Sequence, residues 1–316
     1  MKINLADETP SVIDVQGLSY RYGDRNALHN LDLTIPDGAF YALLGPNGSG
    51  KTTLLQCLAG IRRAHSGRAL VLGKACGFFD STDRMRIGYV AEGQKLPAWM
   101  RLGEFERFLA PLYPTWDHAL ANQLRARFEL DARQNIGAMS RGQYMKAALL
   151  CTLAPRPKVL LLDEPFTGID VRVKDELVRG LLESISGEGW TVVLSSHDIG
   201  ELEMLADWVG FLDGGRMQVS ESMDSLRSRF ARVEVVAASD LPARQLPASW
   251  MSVERSARRM SFVVDNAQGV TSSQSMQSMQ SLLGDVSVES REVTLRELFL
   301  ALASRPTPAA TLEKAS

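Results

Sequence analysis

GPNGSGKTT, from Gly45 to Thr53, constrains this chain more than any other stretch. It follows the apolar run AFYALL and opens KTTLLQCLAGI, whose apolar residues recur at helical spacing. A strand, a Gly-rich turn and a helix in that order fit the pattern GxxxxGK[ST] over Gly45–Thr52. Glycines let successive backbone N–H groups curl around an anion without Cβ clashes. The helix start adds the positive end of its dipole. Gly45, Pro46, Asn47, Gly48, Ser49, Gly50, Lys51, Thr52 and Thr53 are therefore candidate phosphate-binding positions. Lys51 can reach the terminal phosphates of a nucleotide, and the Thr52 hydroxyl can ligate Mg²⁺.

A second apolar run, VLLLDEPFTGID, ends in the adjacent carboxylates Asp163 and Glu164, sealed by Pro165. Two acids at the end of a buried strand are costly unless something offsets them. Beside a phosphate loop, Asp163 fits a Mg²⁺ ligand. Glu164, one residue on, fits a carboxylate that orients and polarises an attacking water.

Three further patterns gain meaning beside these two. AMSRGQ opens a helix, and Ser140 and Gly142 there offer a hydroxyl and free N–H groups to phosphate. One chain then carries two phosphate-binding ends, which suggests a nucleotide sandwiched between two copies. VVLSSHDI places His197 just past a strand, where an imidazole can hydrogen-bond a γ-phosphate. Tyr22, in SYRYGDRNAL, is a candidate to stack on adenine, with Tyr20 as the alternative ring.

The 316 residues, 45% of them hydrophobic, suffice for one large domain and a smaller one. A net charge of -2 supplies no electrostatic footprint for nucleic acid. Cys57, Cys76 and Cys151 are far apart, which argues against a disulfide framework or zinc site and for a reducing cytosol. The N-terminus lacks the apolar region of a signal peptide, and no run approaches the ~20 apolar residues that span a bilayer. SVIDVQGLSYRY and ALHNLDLTI read as strands, and ALVLG, RIGYV, VLLLD and TVVLSS as four more, buried ones. With the helical stretches VKDELVRGLLESI and IGELEMLA, the alternation predicts an α/β sheet, parallel at its centre. Residues 98–155 read as an inserted helical subdomain. Beyond about Phe230 come short strands in RVEVVAA, SVERSARRMSFVV and DVSVES, then a helix near TLRELFLALA. SSQSMQSMQS reads as a loop or short helix, and the tail 305–316 as disordered.

The ordered set GPNGSGKTT, MSRGQ, LLLDEP, GID and SSHD resembles the ATP-binding subunit of ABC transporters over about residues 11–230. The resemblance implies a phosphate-loop NTPase core, ATP and Mg²⁺, and a head-to-tail dimer with two ATP molecules at its interface. By match, Gly45–Thr53 is the Walker A loop, Asp163 the Walker B acid, and Glu164 the catalytic base. Ser140, Gly142 and Gln143 belong to the signature, Asp170 is the D-loop acid, His197 the switch histidine and Tyr22 the adenine-stacking aromatic. The family's usual glutamine after the strand in IGYVAEGQKLP is replaced by Glu92, with Gln94 two residues later. A carboxylate there can still ligate Mg²⁺. Arg141 stands where the signature usually has glycine, and Met139 and Ile169 are volume-conserving swaps for leucine. The ending SVESREVTLRELFLAL is similar to that of bacterial two-component exporters, which makes 231–304 a small α+β accessory domain. These features imply an ATPase on the cytoplasmic face of the inner membrane, powering a separate permease, in export. An importer subunit and a non-transport regulatory module are the alternatives, the latter disfavoured by the intact Lys51, Asp163, Glu164 and His197.

Overall fold

The computed structural model describes residues 10–185, 189–196, 202–203, 205–242, 246–247, 249–265, 279 and 281–303. Strands β1 (Ser11–Tyr22) and β2 (Arg25–Pro36) pair as an antiparallel hairpin. Strand β3 (Phe40–Leu44) is buried at every position and leads through the glycine turn into α1 (Lys51–Leu58). β4 (Ser66–Val71) and β5 (Lys74–Ala75) then join β1, giving an antiparallel sheet in the order β2-β1-β4-β5. ALVLG, a buried strand by its sequence pattern, supplies the end of β4 in this outer sheet and is only partly buried. Only Ala69 and Val71 of β4 are buried. A short apolar run has the same pattern in a central or an outer sheet, and only pairing with β1 decides between them.

After α2 (Ser81–Met85) and β6 (Ile87–Val90) come three helices, α3 (Leu102–Leu109), α4 (His118–Arg127) and α5 (Arg141–Leu153). The chain returns through β7 (Val159–Asp163), α6 (Val171–Ile185), β8 (Thr191–Ser196), β9 (Trp208–Asp213) and β10 (Arg216–Ser222). The central sheet runs β10-β9-β3-β8-β7-β6 and is parallel except for β10. β9 and β10 were not anticipated from sequence. Side-chain alternation splits this sheet between two cores. Phe40, Ala42, Leu44, Leu160, Leu162, Val192 and Leu194 face the helices α3 to α6. Tyr41, Leu43, Leu161 and Val193 face α1 and the outer sheet. Both faces are covered, which is why β3, β7 and β8 are buried at every position and carry apolar residues in succession, FYALL, VLLL and VVL.

Past α7 (Met223–Arg229), a third sheet forms from β11 (Phe230–Ala237), β12 (Met251–Arg255), β13 (Arg259–Asp265) and β14 (Val286–Glu292). Its order is β12-β13-β11-β14, antiparallel throughout. SVERSARRMSFVV, read as one strand, folds back on itself as β12 and β13, with Ser256 N–H donating to Arg259 O at 2.8 Å. This sheet has its own core, where the Trp250 and Phe262 rings stack at 3.8 Å. The last helix, α8 (Leu295–Ala303), leaves that core. Leu295, Leu298, Ala301 and Leu302 join the large core of the central sheet, and Phe299 meets Phe211 edge-on at 5.1 Å. The Leu295 N–H donates to Glu203 Oε1 at 2.9 Å, which ties the helix start to the segment beyond β8.

His197, most of IGELEMLA, most of SSQSMQSMQS and the tail 305–316 lie outside the described residues. Among the described residues no helix is long and apolar enough to cross a membrane.

Candidate functional site

The ends of β3 and β7 lie on either side of β8, with Leu44 opposite Ser196 and Asp163 opposite Ser195. Carboxyl ends of parallel strands are where open α/β sheets bind ligands. Gly50 caps α1 in the left-handed region, φ 111°, and a Cβ there would lie 2.5 Å from Ala27 O. At Gly45 a Cβ would lie 2.2 Å from Leu212 O, so the turn packs against β9 with no room for a side chain. Lys51 is buried, and its Nζ donates to Gly45 O at 2.8 Å and Pro46 O at 3.3 Å. The same ammonium stands 3.4 Å from Glu164 Oε1. A cavity of about 580 Å³ opens here, walled by Tyr22, Asn47, Lys51, Thr52, Glu92 and Glu164.

Asp163 is fully buried, and its Oδ1 accepts hydrogen bonds from Thr52 Oγ1 at 3.1 Å and Ser195 Oγ at 2.9 Å. Its Oδ2 is buried with no hydrogen-bond partner among the described residues. Burial pushes the Asp163 pKa up; the Ser195 and Thr52 hydrogen bonds pull it down, and the Glu164 and Glu92 carboxylates push it up again. The orphaned Asp163 oxygen, the Thr52 hydroxyl and the Glu92 carboxylate on the cavity wall are hard-oxygen donors of the kind a divalent cation such as Mg²⁺ takes, while no three acids, histidines or cysteines among the described residues converge to hold an ion by themselves. Glu92 reaches this cavity, whereas Gln94 turns back, its Oε1 accepting the Ala91 N–H at 3.1 Å.

Glu164 has φ 48°, a left-handed conformation costly for a residue with a side chain. Ser195 holds it there, accepting the Glu164 N–H through its carbonyl at 3.2 Å and its hydroxyl at 3.0 Å. Thr167 Oγ1 donates to Glu164 Oε2 at 3.2 Å. Ser195, wholly buried, thus ties both acids to β8. Ser195→Ala is expected to lower the unfolding free energy by ~1–3 kcal/mol, through the polar partners it strands. Urea denaturation checks this; an unchanged midpoint would remove the serine from that role.

Tyr22 is 44% exposed at the end of β1, its Oη 3.4 Å from Thr53 Oγ1. Tyr20, the alternative ring, does not line the cavity; its hydroxyl accepts from Arg62 at 2.8 Å. The other helix start stands apart: Ser140, Gly142, Gln143 and Asp170 line no part of the same chain's cavity. Ser140 and Gln143 form a capping box, with Gln143 N–H to Ser140 Oγ at 3.3 Å and Ser140 N–H to Gln143 Oε1 at 3.0 Å. Gly142 packs on α6, where a Cβ would meet Val173 Cγ1 at 2.7 Å. Arg141 does not crown the helix start; its guanidinium lies against Gly168, two residues before Asp170. Asp170 accepts the Arg172 N–H at 2.9 Å. Sequence reasoning missed Ser195, Thr167 and Arg25. Arg25 lines the cavity, comes close to Gly48, and makes no hydrogen bond or ion pair through its guanidinium among the described residues. Its only sequence signal is a basic residue three past Tyr22.

A glycine-walled anion cradle after β3 and paired acids at the end of β7, with β8 between them, define a phosphate-loop nucleotide hydrolase. The chain belongs to the ATP-binding proteins of the ABC transporter family, and it is an ATPase. The ABC transporter family pattern matches residues 28–167. The daunorubicin resistance ATP-binding protein DrrA3 of Streptomyces coeruleorubidus is 33% identical over 309 residues, 92% of this chain and 96% of that protein. The sulfate/thiosulfate import ATP-binding protein CysA of Methylococcus capsulatus is 35% identical over 227 residues, 68% of this chain and 64% of that protein. A solved ATP-binding subunit of an ABC transporter superposes with TM-score 0.63 at 25% identity, covering 68% of this chain and 92% of that one.

Proposed function

We propose that the chain closes head-to-tail on a second copy around ATP and powers a separate membrane permease in the direction of export. The observation that carries the direction is coverage. Similarity to DrrA3, a resistance protein by name, covers 92% of this chain and so extends well into the third sheet, whereas similarity to CysA, an importer by name, covers 68% of this chain. On this reading residues 231–304 are an accessory domain built for an exporter, and the chain works on the cytoplasmic face of the membrane that holds its permease. Purifying the tagged chain from detergent-solubilised membranes tests it. An integral membrane protein should co-purify, and drug or peptide should move outward in ATP-loaded vesicles. Inward movement would overturn the direction.

Within the site, Gly45–Thr53 wrap the phosphates, with Lys51 on the terminal oxygens and Arg25 adding a second cation. Tyr22 stacks on adenine. Thr52, Asp163 and Glu92 are the residues that would hold Mg²⁺, which when bound offsets charge on the β- and γ-phosphates. Glu164 accepts a proton from water as its oxygen attacks the γ-phosphorus, and the bond to ADP breaks. Ser140, Gly142 and Gln143 of one copy close over the nucleotide of the other with Asp170 beside them, and His197 is assigned the hydrogen bond to the γ-phosphate.

Glu92 adds negative charge where the family carries an amide. Glu92→Gln is expected to shift the Mg²⁺ concentration for half-maximal ATPase activity upward several-fold, since a carboxylate binds the ion more strongly than an amide oxygen. An ATPase rate and Mg²⁺ dependence untouched by the change would take Glu92 out of the ligand set.

A further inference from the structure

We infer that Arg62 is a positioning residue for the nucleobase: its guanidinium backs one face of the Tyr22 ring and leaves the other face to receive adenine. The inference rests on Tyr22 being the base-stacking ring. Tyr22 ends β1 and is 44% exposed, so without neighbours its ring would have freedom that a stacked partner must remove. Three contacts already restrain it. The Arg62 Cζ lies 4.8 Å from the Tyr22 ring centroid, the Tyr20 ring meets it edge-on at 5.0 Å and 67°, and its hydroxyl lies 3.4 Å from Thr53 Oγ1.

Arg62 is itself anchored. Its Nη1 donates to Tyr20 Oη at 2.8 Å and its Nε donates to the Gln56 side chain, on the helix that opens at the phosphate loop. A guanidinium on an aromatic face is held by the ring quadrupole, and its plane is too bulky to share that face with a base. The cavity meets Tyr22 together with Ala27 and Thr53. The base is thus offered one face of a ring whose orientation is set before it arrives. Since Arg62 has its partners in Gln56, Tyr20 and Tyr22 and does not line the cavity, it acts through Tyr22 and not on the phosphates.

Equilibrium binding of two probes separates these effects: the magnesium complex of the non-hydrolysable analogue AMP-PNP, and magnesium tripolyphosphate, which lacks a base. Arg62→Ala is expected to weaken AMP-PNP about five-fold, the scale of one side chain's ordering cost. Tripolyphosphate affinity should hold, which also reports an intact phosphate loop. In a Tyr22→Ala background the further change Arg62→Ala should have no effect on AMP-PNP. Equal losses for both probes, no loss for AMP-PNP, or a full five-fold loss without the Tyr22 ring would each overturn the role of Arg62. If Tyr22→Ala alone leaves AMP-PNP affinity intact, the stacking reading of Tyr22 falls, a result distinct from failure at Arg62.

Discussion

Glu164→Gln is expected to slow ATP turnover by ~10²–10⁴-fold, the range general bases contribute. Glutamine keeps the shape and the acceptor oxygen, so the Thr167 contact at 3.2 Å survives while the proton-accepting charge is lost. The backbone of residue 164 stays pinned by Ser195, which the substitution does not touch. Binding of MgATP should therefore persist, and the ATP-closed dimer should accumulate because its exit through hydrolysis is blocked. Phosphate release under single-turnover conditions reads the first effect, and sedimentation with and without ATP reads the second. A variant that hydrolyses ATP at the wild-type rate would remove Glu164 as the base. One that stays monomeric with ATP would remove the closed dimer.

Lys51→Ala should act earlier, on binding. Its ammonium is buried at the floor of the glycine turn, where a phosphate oxygen accepting from it is shielded from water. Loss of a hydrogen bond to a charged group, about 1.5–3 kcal/mol, translates into roughly 10- to 150-fold weaker MgATP binding. The change also removes the cation 3.4 Å from Glu164, so that carboxylate loses a counter-charge. Titration calorimetry with MgATP checks the loss. Retained affinity would mean that the backbone cradle alone holds the triphosphate.

The parts of the site that sequence revealed are those whose chemistry is contiguous along the chain. The glycine turn, Lys51 and Thr52 fall within a few residues of one another, as do Asp163, Glu164 and Pro165. Each group follows a run that must be buried on both faces, so strand, turn and acid could be placed without knowing their neighbours. Ser195 shows the limit. It sits in TVVLSS with no distinguishing pattern, and only the register of β8 beside β7 sets its hydroxyl between two carboxylates. ALVLG shows the same limit from the other side, because its apolar residues satisfy either sheet until β1 claims them. WVGFLD and RMQVSES, apolar and alternating in turn, became a hairpin at the sheet edge only once β9 paired with β3.

Local covalent order by itself determined the anion cradle, the paired acids and the alternation of strands with helices, because backbone conformation and burial periodicity are written over a few residues. The tertiary structure alone decided which residues serve them: Arg25 across from Gly48, Arg62 behind Tyr22, Ser195 under both acids, and α8 seated in the core of the central sheet. Such pairings join positions tens of residues apart. Their distances depend on strand order and helix packing, which no short stretch of the chain contains.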